Sequence, residues 1–183
     1  MARLKINNKK YCLLFGRNAI SNKIKQIASK IKNDYEGKDT PIVILVLTGG
    51  LYFGIDLSKE LGEIGFNHHL DTVGLKRYSA DEKGGAVEIL SKPHSKISRR
   101  NLIIVEDIID NGETMNFLND YLKNSDHPPR SISYCSLLVR KKHGPLKFKI
   151  NYLGFEIESG WVVGYGMDSG QLYRWLKDIY IEY

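Results

Sequence analysis

The stretch 101–122 constrains the fold of this chain more than any other part of the sequence. It opens with four apolar residues at 102–105, which predict a buried strand. Three carboxylates follow within five residues, at Glu106, Asp107 and Asp110. The loop 111–114 then leads through a glycine into a segment with a helical pattern. A strand, a glycine turn and a helix in this order are typical of an α/β fold with a parallel sheet.

The residues of this stretch suggest a ligand that carries both a phosphate and a sugar. Backbone N–H groups at the start of a helix bind phosphate, and the Thr114 hydroxyl adds a donor. Carboxylates accept hydrogen bonds from ribose hydroxyls, directly or through Mg²⁺, which predicts this role for Glu106 and Asp107. Asp110 is then free to carry a proton. The alternative is a polar strand end that leads into an ordinary helix start, where acidic residues are favoured without any ligand.

A second strand, glycine turn and helix begin at residue 42. The apolar run 42–47 predicts a parallel strand, and a helix is predicted from 51 to about 61. The two glycines of the turn allow backbone N–H groups to approach an anion closely. Because this turn also follows the carboxyl end of a strand, the sequence predicts two anion sites that face one crevice. A tight strand-to-helix turn without a ligand is the alternative.

Weaker patterns fill in the remainder of an α/β domain. The stretch 76–86 is polar and contains glycines, which predicts a long mobile loop. A single domain over 1–183 is predicted, with a mainly parallel central sheet flanked by helices. Helical spacing of apolar residues predicts a helix over 20–31, and shorter patterns predict strands at 11–15, 69–75, 87–90, 131–139 and 179–182.

Composition limits the classes of protein to which the chain can belong. With 183 residues, 42% of them hydrophobic, the chain is large enough to bury a core without disulfides or structural metals. Cys12 and Cys135 lie in apolar surroundings, which indicates packed thiols and favours a reducing compartment. No apolar run is long enough for a membrane span, so a cytoplasmic protein is expected. The net charge of +6 could indicate nucleic acid, but the cations are scattered, and a polyphosphate substrate explains the sign equally well.

The run 105–115 closely resembles the phosphoribosyl-pyrophosphate signature of the type I phosphoribosyltransferases, in particular their hypoxanthine-guanine branch. The resemblance implies that Glu106 and Asp107 bind the ribose and that Asp110 is the general base. It also implies that the 5′-phosphate is held by the turn that follows, which consists of Asn111, Gly112, Glu113 and Thr114. The implied fold is a type I phosphoribosyltransferase-like α/β core with a small hood formed by the N- and C-terminal segments.

Two further segments are similar to substrate-binding loops of the same family. The pyrophosphate loop corresponds to Thr48, Gly49 and Gly50, and purine-salvage members often have a lysine where Thr48 stands. The stretch 76–86 corresponds to a mobile lid that closes over the substrates. Where the family has a Ser-Tyr pair in that lid, this chain has Arg77 and Tyr78, preceded by Lys76.

The last two segments resemble the parts of the family that bind the purine. The strand end at 137–141 is similar to the base-recognition strand, in which a lysine contacts the purine 6-oxo group. That lysine falls on Arg140, with Lys141 beside it, so either cation is a candidate. Further on, the resemblance implies that Trp161 stacks on the base, that the Val162 backbone contacts its 2-position, that Asp168 binds a second Mg²⁺ and that Arg174 holds pyrophosphate.

These resemblances imply a purine-salvage enzyme. It would transfer the phosphoribosyl group of Mg²⁺-bound phosphoribosyl pyrophosphate to hypoxanthine or guanine, with IMP or GMP and pyrophosphate as products. The metal ligands would be Glu106, Asp107 and Asp168. A homodimer or homotetramer is expected, with no membrane or nucleic-acid partner. The alternatives are a phosphoribosyltransferase that prefers xanthine or adenine, and an RNA-binding regulator built on the same fold.

Overall fold

A computed structural model describes residues 3–6, 9–77, 85–142 and 144–183 of the protein. Its helices are α1 (Arg17–Asp34), α2 (Leu51–Glu63) and α3 (Glu113–Lys123). The strands in the described ranges are β1 (Arg3–Ile6), β2 (Lys9–Phe15), β3 (Ile42–Leu47), β4 (His69–Arg77), β5 (Val87–Ser91), β6 (Asn101–Ile109), β7 (Ser131–Arg140), β8 (Ile150–Ile157), β9 (Val162–Val163) and β10 (Ile179–Glu182). None of the described helices is long and apolar enough to cross a membrane.

The central sheet has six strands in the order β5-β4-β3-β6-β7-β8. All of its neighbouring pairs are parallel except β4 and β5, which are antiparallel. The apolar runs that predicted β3 and β6 lie in the middle of this sheet, where a strand is buried on both faces. The predicted α/β class with a mainly parallel sheet is therefore confirmed.

Helices cover both faces of the central sheet, and β3 shows why its sequence has no polar alternation. Val43 and Leu45 pack in a core cluster with the apolar faces of α1 and α2. Ile42 and Ile44, which point to the other face, pack with α3. Because successive side chains of a strand point to opposite faces, both sets must be apolar.

A second, smaller sheet brings the two ends of the chain together. It has the order β1-β2-β10-β9, with antiparallel pairing throughout. Ile6, Tyr11, Val163 and Tyr180 form a core cluster of its own. This sheet is the hood that the resemblance implied, and it places β9 at an open edge.

Some elements differ from the sequence-based expectations. The strands β1 and β8 were not predicted, because both are edge strands with mixed burial patterns. Lys76 and Arg77 were expected in a loop, but both lie in β4, where they pair with Glu88 and Val87 of β5. Of the predicted lid, residues 78–84, which include Tyr78, lie outside the described part of the chain.

Candidate active site

The candidate site is built where the carboxyl ends of β3, β6 and β7 meet. These strands are adjacent and parallel, with Leu45 paired to Val105 and Ile109 paired to Val139. The residues that follow each strand therefore emerge at the same edge of the sheet. Three of the segments singled out above, at 48–50, 106–114 and 140–141, lie at these strand ends and converge through this register.

One cavity of about 150 Å³ lies at this edge, and we call it the Arg140 cavity. The Arg140 side chain is 17% exposed, and its Nε donates a hydrogen bond to the Asp110 carboxylate, with which it forms an ion pair. One Nη of the same guanidinium donates to the Gly160 carbonyl at 3.0 Å. The guanidinium is thus held at the mouth of the cavity by two acceptors. The cavity is lined by Asp107, Ile108, Asp110, Arg140, Trp161, Val162, Met167 and Asp168.

The neighbouring cation, Lys141, lies away from this cavity. Its side chain is about half exposed, and Nζ lies 2.5 Å from a Glu158 carboxylate oxygen. That hydrogen bond, together with the Glu158 charge, raises the pKa of Lys141 above its ordinary value. Of the two candidate purine-binding cations, the structure therefore brings only Arg140 to the cavity.

Trp161 and Val162 both line the same cavity. Trp161 is 53% exposed, and its indole N–H donates to the Asp168 carbonyl at 3.1 Å. The Glu182 amide donates to the Trp161 carbonyl at 2.8 Å, and Val162 is paired with Ile181 in the next position. Hydrogen-bonded and non-hydrogen-bonded pairs alternate in an antiparallel ladder. The N–H and C=O of Val162 therefore point away from β10, off the open edge of the hood.

A second cavity of about 200 Å³, which we call the loop cavity, surrounds the turn before α3. Gly112 has φ of +82°, a conformation that glycine adopts without strain, and α3 begins at the next residue. The first amides of a helix have no carbonyl partner within it. The Asn111 side chain accepts from the Glu113 amide at 3.1 Å, which uses one of them. The lining residues are Arg77, Glu106, Asp107, Ile108, Ile109, Asp110, Asn111, Gly112, Thr114 and Met115.

Glu106 and Asp107 form a buried pair of carboxylates between the two cavities. Each residue is only 7% exposed, and neither forms an ion pair with a basic side chain in the described part of the chain. Burial, and next to it the charge of Asp107, holds the pKa of Glu106 well above its ordinary value. Two buried carboxyl groups without a basic partner among the described residues fit a hard cation that binds oxygen ligands.

The turn after β3 packs directly against this pair. A Cβ on Gly49 would lie 2.2 Å from an Asp107 carboxylate oxygen, so the glycine makes room for the carboxylate. The Gly50 amide already donates to the Val46 carbonyl at 3.0 Å. It is therefore engaged within the turn, contrary to the expectation that both glycine amides face an anion. The peptide bond between Leu47 and Thr48 is cis.

Asp168 and Arg174 form an ion pair beside the Gly49 turn. The Arg174 guanidinium lies 2.8 Å from an Asp168 carboxylate oxygen and donates to the Gly166 carbonyl at 2.6 Å. A Cβ on Gly166 would lie 2.2 Å from the Gly49 carbonyl oxygen, so the two backbones approach closely. In the described residues, no three acidic, histidine or cysteine side chains form a single metal-binding cluster. Asp168 and Asp107 nevertheless line the same Arg140 cavity.

Two residues of the site were not assigned a role from the sequence. Gly160 supplies the carbonyl that holds Arg140, and Gly166 brings the Arg174 segment against Gly49. Gly160 and Gly166 have φ of +101° and +102°, and a side chain in that conformation is strained. The signal that could have found Gly166 is the density of glycines in the stretch 164–170.

Comparisons with known proteins agree with this geometry. The phosphoribosyl transferase domain family matches residues 16–170. A hypoxanthine-guanine-xanthine phosphoribosyltransferase of Tritrichomonas foetus is 33% identical over 165 residues, which cover 88% of this chain and 86% of that relative. The hypoxanthine-guanine phosphoribosyltransferase of Aquifex aeolicus is 28% identical over 177 residues, with 96% and 97% covered.

A solved structure extends the agreement to the fold. The crystal structure of a hypoxanthine-guanine phosphoribosyltransferase from Bacillus anthracis superposes with a TM-score of 0.83 and 32% identity. The superposition covers 93% of this chain and 97% of that one. The match therefore includes the hood and the central sheet, and not the signature stretch alone. This chain belongs to the phosphoribosyltransferase family, in the hypoxanthine-guanine branch that its site segments resemble.

Proposed function

We propose that the protein transfers the 5-phosphoribosyl group of phosphoribosyl pyrophosphate to hypoxanthine or guanine in purine salvage. The products are IMP or GMP and pyrophosphate. The observation that carries this proposal is the adjacency of the two cavities, which share Asp107, Ile108 and Asp110 in their linings. A flat base in the Arg140 cavity and a sugar phosphate in the loop cavity would meet at these residues.

The Arg140 cavity suits a 6-oxopurine. Trp161 offers an aromatic face on which a base can stack. Arg140 has further N–H groups besides those that bind Asp110 and Gly160, and they can donate to the 6-carbonyl. The outward-facing backbone of Val162 can accept from the 2-amino group of guanine. We therefore assign the 6-oxo contact to Arg140 and give Lys141 no part in it.

The reaction joins purine N9 to the anomeric carbon of the ribose while the bond from that carbon to the pyrophosphate oxygen breaks. Asp110 lines both cavities, so its carboxylate can take the N7 proton as N9 attacks. Arg140 holds that carboxylate in place. We assign the Gly49 amide and Arg174 to the leaving pyrophosphate, because the Arg174 segment packs against the Gly49 turn and both groups are donors.

Mg²⁺ is the cofactor that fits this site. Glu106 and Asp107 would hold one ion with the ribose hydroxyls, and Asp168 would hold a second together with the pyrophosphate. Mg²⁺ commonly uses only one or two carboxylates and takes its other ligands from substrate phosphates and water. The bound ion would neutralise charge that develops on the leaving group.

Replacing Glu106 with glutamine is expected to stabilise the free protein and to weaken its response to substrate. The change removes one of two buried carboxylates that lack a described cationic partner. A gain of about 1 kcal/mol corresponds to a rise in Tm of roughly 2–4 °C for a chain of this size. The further rise on adding MgCl₂ with phosphoribosyl pyrophosphate should shrink. Thermal melts of both proteins, with and without these ligands, measure both effects.

The matched control for that experiment is Glu36→Gln, which changes an exposed carboxyl outside both cavities. Its melting curves should follow those of the unchanged protein with and without ligands. If Glu106→Gln keeps the full ligand-dependent rise in Tm, Glu106 is not a ligand of the metal and sugar.

A panel of nucleobases tests the proposed activity. The protein is incubated with phosphoribosyl pyrophosphate, MgCl₂ and hypoxanthine, guanine, xanthine, adenine or uracil, and nucleoside monophosphates are separated by chromatography. IMP and GMP are the expected products. Failure to convert either 6-oxopurine contradicts the proposal. Filter binding to RNA over a salt series, run in parallel, detects the regulatory alternative.

The two cysteines bear on the compartment in which the enzyme works. We propose a cytoplasmic enzyme, because Cys12 and Cys135 are free thiols, which a reducing compartment preserves.

We also propose self-association as a homodimer or homotetramer. Trp175 and Tyr52 are both exposed beside a groove of about 520 Å³, and exposed aromatic residues are typical of interfaces. Sedimentation velocity at several protein concentrations measures the assembly.

A further inference from the structure

The loop cavity contains one basic side chain among the described residues that line it, and that side chain is Arg77. Three carboxylates line the same space, at Glu106, Asp107 and Asp110. The Asp110 carboxylate is paired with Arg140, so the repulsion of a phosphate dianion placed there would come chiefly from the carboxyl pair at 106–107. The amides at the start of α3 offset part of that repulsion. A cation inside the cavity would offset much more, and Arg77 is positioned to provide it.

Arg77 is held at the cavity by the sheet and by α3. Its backbone forms the last pair of the β4–β5 ladder, opposite Val87. Its guanidinium donates to the carboxylate of Glu113, the first residue of α3, and forms an ion pair with it. The side chain therefore spans the distance from the edge of the sheet to the helix that begins at the loop.

Breaking the ion pair between Arg77 and Glu113 costs the protein little free energy. The two side chains are 45% and 57% exposed, and an ion pair at that exposure contributes little to stability. A guanidinium can bind a phosphate through two parallel hydrogen bonds, and a phosphate carries a charge of about −1.5 to −2, against −1 for the Glu113 carboxylate. A phosphate in the loop cavity can therefore take Arg77 from Glu113 with a net gain.

We infer that Arg77 is the side chain that binds the phosphate on C5 of the ribose, and that Glu113 holds Arg77 in the free protein until that phosphate arrives. This inference rests on the proposed function, because it concerns the sugar phosphate of that reaction. The Glu113 carboxylate then competes with the substrate for Arg77. The Glu113 side chain therefore gives the substrate no favourable contact, and the Glu113 amide already donates to the Asn111 side chain.

The two variants Arg77→Ser and Glu113→Gln should have opposite effects. Arg77→Ser should weaken binding of ribose 5-phosphate by about tenfold and raise the KM for phosphoribosyl pyrophosphate similarly. Glu113→Gln should tighten binding of ribose 5-phosphate by about two- to fivefold, because it frees Arg77 and removes a negative charge. Inhibition by pyrophosphate, which lacks the C5 phosphate, should stay unchanged in both variants. Calorimetric titration and inhibition kinetics measure these values.

A matched control is available in the ion pair between Arg130 and Asp39. Its side chains are 58% and 66% exposed, and it lies outside both cavities. Arg130→Ser should therefore leave binding of ribose 5-phosphate unchanged. Circular dichroism melts of all three variants establish that each one is folded.

Several outcomes would overturn the inference. If both variants weaken ribose 5-phosphate binding, the ion pair is a structural tether. If Arg77→Ser weakens only pyrophosphate inhibition, Arg77 serves the other phosphate. In either case the unchanged protein would still form IMP and GMP, so the proposed function would stand. Failure of the unchanged protein to form any nucleotide would instead count against the proposed function. The ribose 5-phosphate titrations of the variants would still test the role of Arg77 separately.

Discussion

Replacing Asp110 with asparagine is expected to lower kcat by about 10²- to 10⁴-fold, with binding of phosphoribosyl pyrophosphate nearly intact. Asparagine has almost the same size and can still accept a hydrogen bond from Arg140, but it cannot take a proton. Asp110 lines both cavities, at the point where the purine and the sugar would meet. Steady-state kinetics give kcat, and calorimetric titration gives the affinity for phosphoribosyl pyrophosphate.

Two companion variants separate proton transfer from the loss of an ion pair. Asp39→Asn removes the carboxylate from another exposed pair, with Arg130, and should leave kcat unchanged. Asp110→Glu keeps a carboxylate and should recover part of the lost turnover. Near-normal turnover of Asp110→Asn would rule out Asp110 as the base that accepts the purine proton.

The parts of the fold that the sequence predicted are those in which burial dictates the residue type. Both faces of β3 are covered by helices, so its apolar run has no other stable environment. The same argument applies to the first half of β6. β6 continues to Ile109, but its sequence turns polar at Glu106 and Asp107, because the site begins there.

The parts that the sequence did not predict depend on pairing between distant residues. Val162 exposes its backbone to the Arg140 cavity because β9 is the edge of the hood, and that edge exists because β10 pairs with β2. The contact of Arg140 with Asp110 likewise follows from the register of β6 and β7. Ile109 pairs with Val139, which places Asp110, the residue after β6, beside Arg140, the last residue of β7. Local sequence patterns do not specify register across such separations.

The same distinction explains the two cations at 140 and 141. From the sequence, Arg140 and Lys141 were both candidates for the purine contact, because they are adjacent at a strand end. Arg140 is the last residue of β7 and Lys141 the first residue of the turn that follows, and their side chains leave the strand end in different directions. Which of them enters depends on the pairing with β8, a strand that was not predicted. The structure directs Arg140 inward and leaves Lys141 with Glu158.

Hypoxanthine and guanine are expected to be far better substrates than xanthine, and adenine is expected to be the poorest. Arg140 is a donor only, so it can bind a 6-carbonyl but not the 6-amino group of adenine. A guanidinium N–H that faces the 6-amino group of adenine has no acceptor there and costs several kcal/mol, which predicts discrimination of at least roughly 10³-fold in kcat/KM. The Val162 carbonyl would accept from the 2-amino group of guanine and tolerate the C–H of hypoxanthine, but it would repel the 2-oxygen of xanthine.

Single substitutions at 140 and 141 test the assignment of this contact. Arg140→Met and Arg140→Gln should lower kcat/KM for hypoxanthine by about 10²-fold or more, because the 6-carbonyl loses its donor and Asp110 loses the guanidinium that positions it. Lys141→Met and Lys141→Gln, the matched controls, should have little effect, because Lys141 is half exposed and paired with Glu158. Kinetics on the base panel with all four variants measure the difference. If the unchanged protein used adenine as readily as hypoxanthine, or if the Lys141 variants lost as much as the Arg140 variants, the end of β7 would not recognise the purine through Arg140.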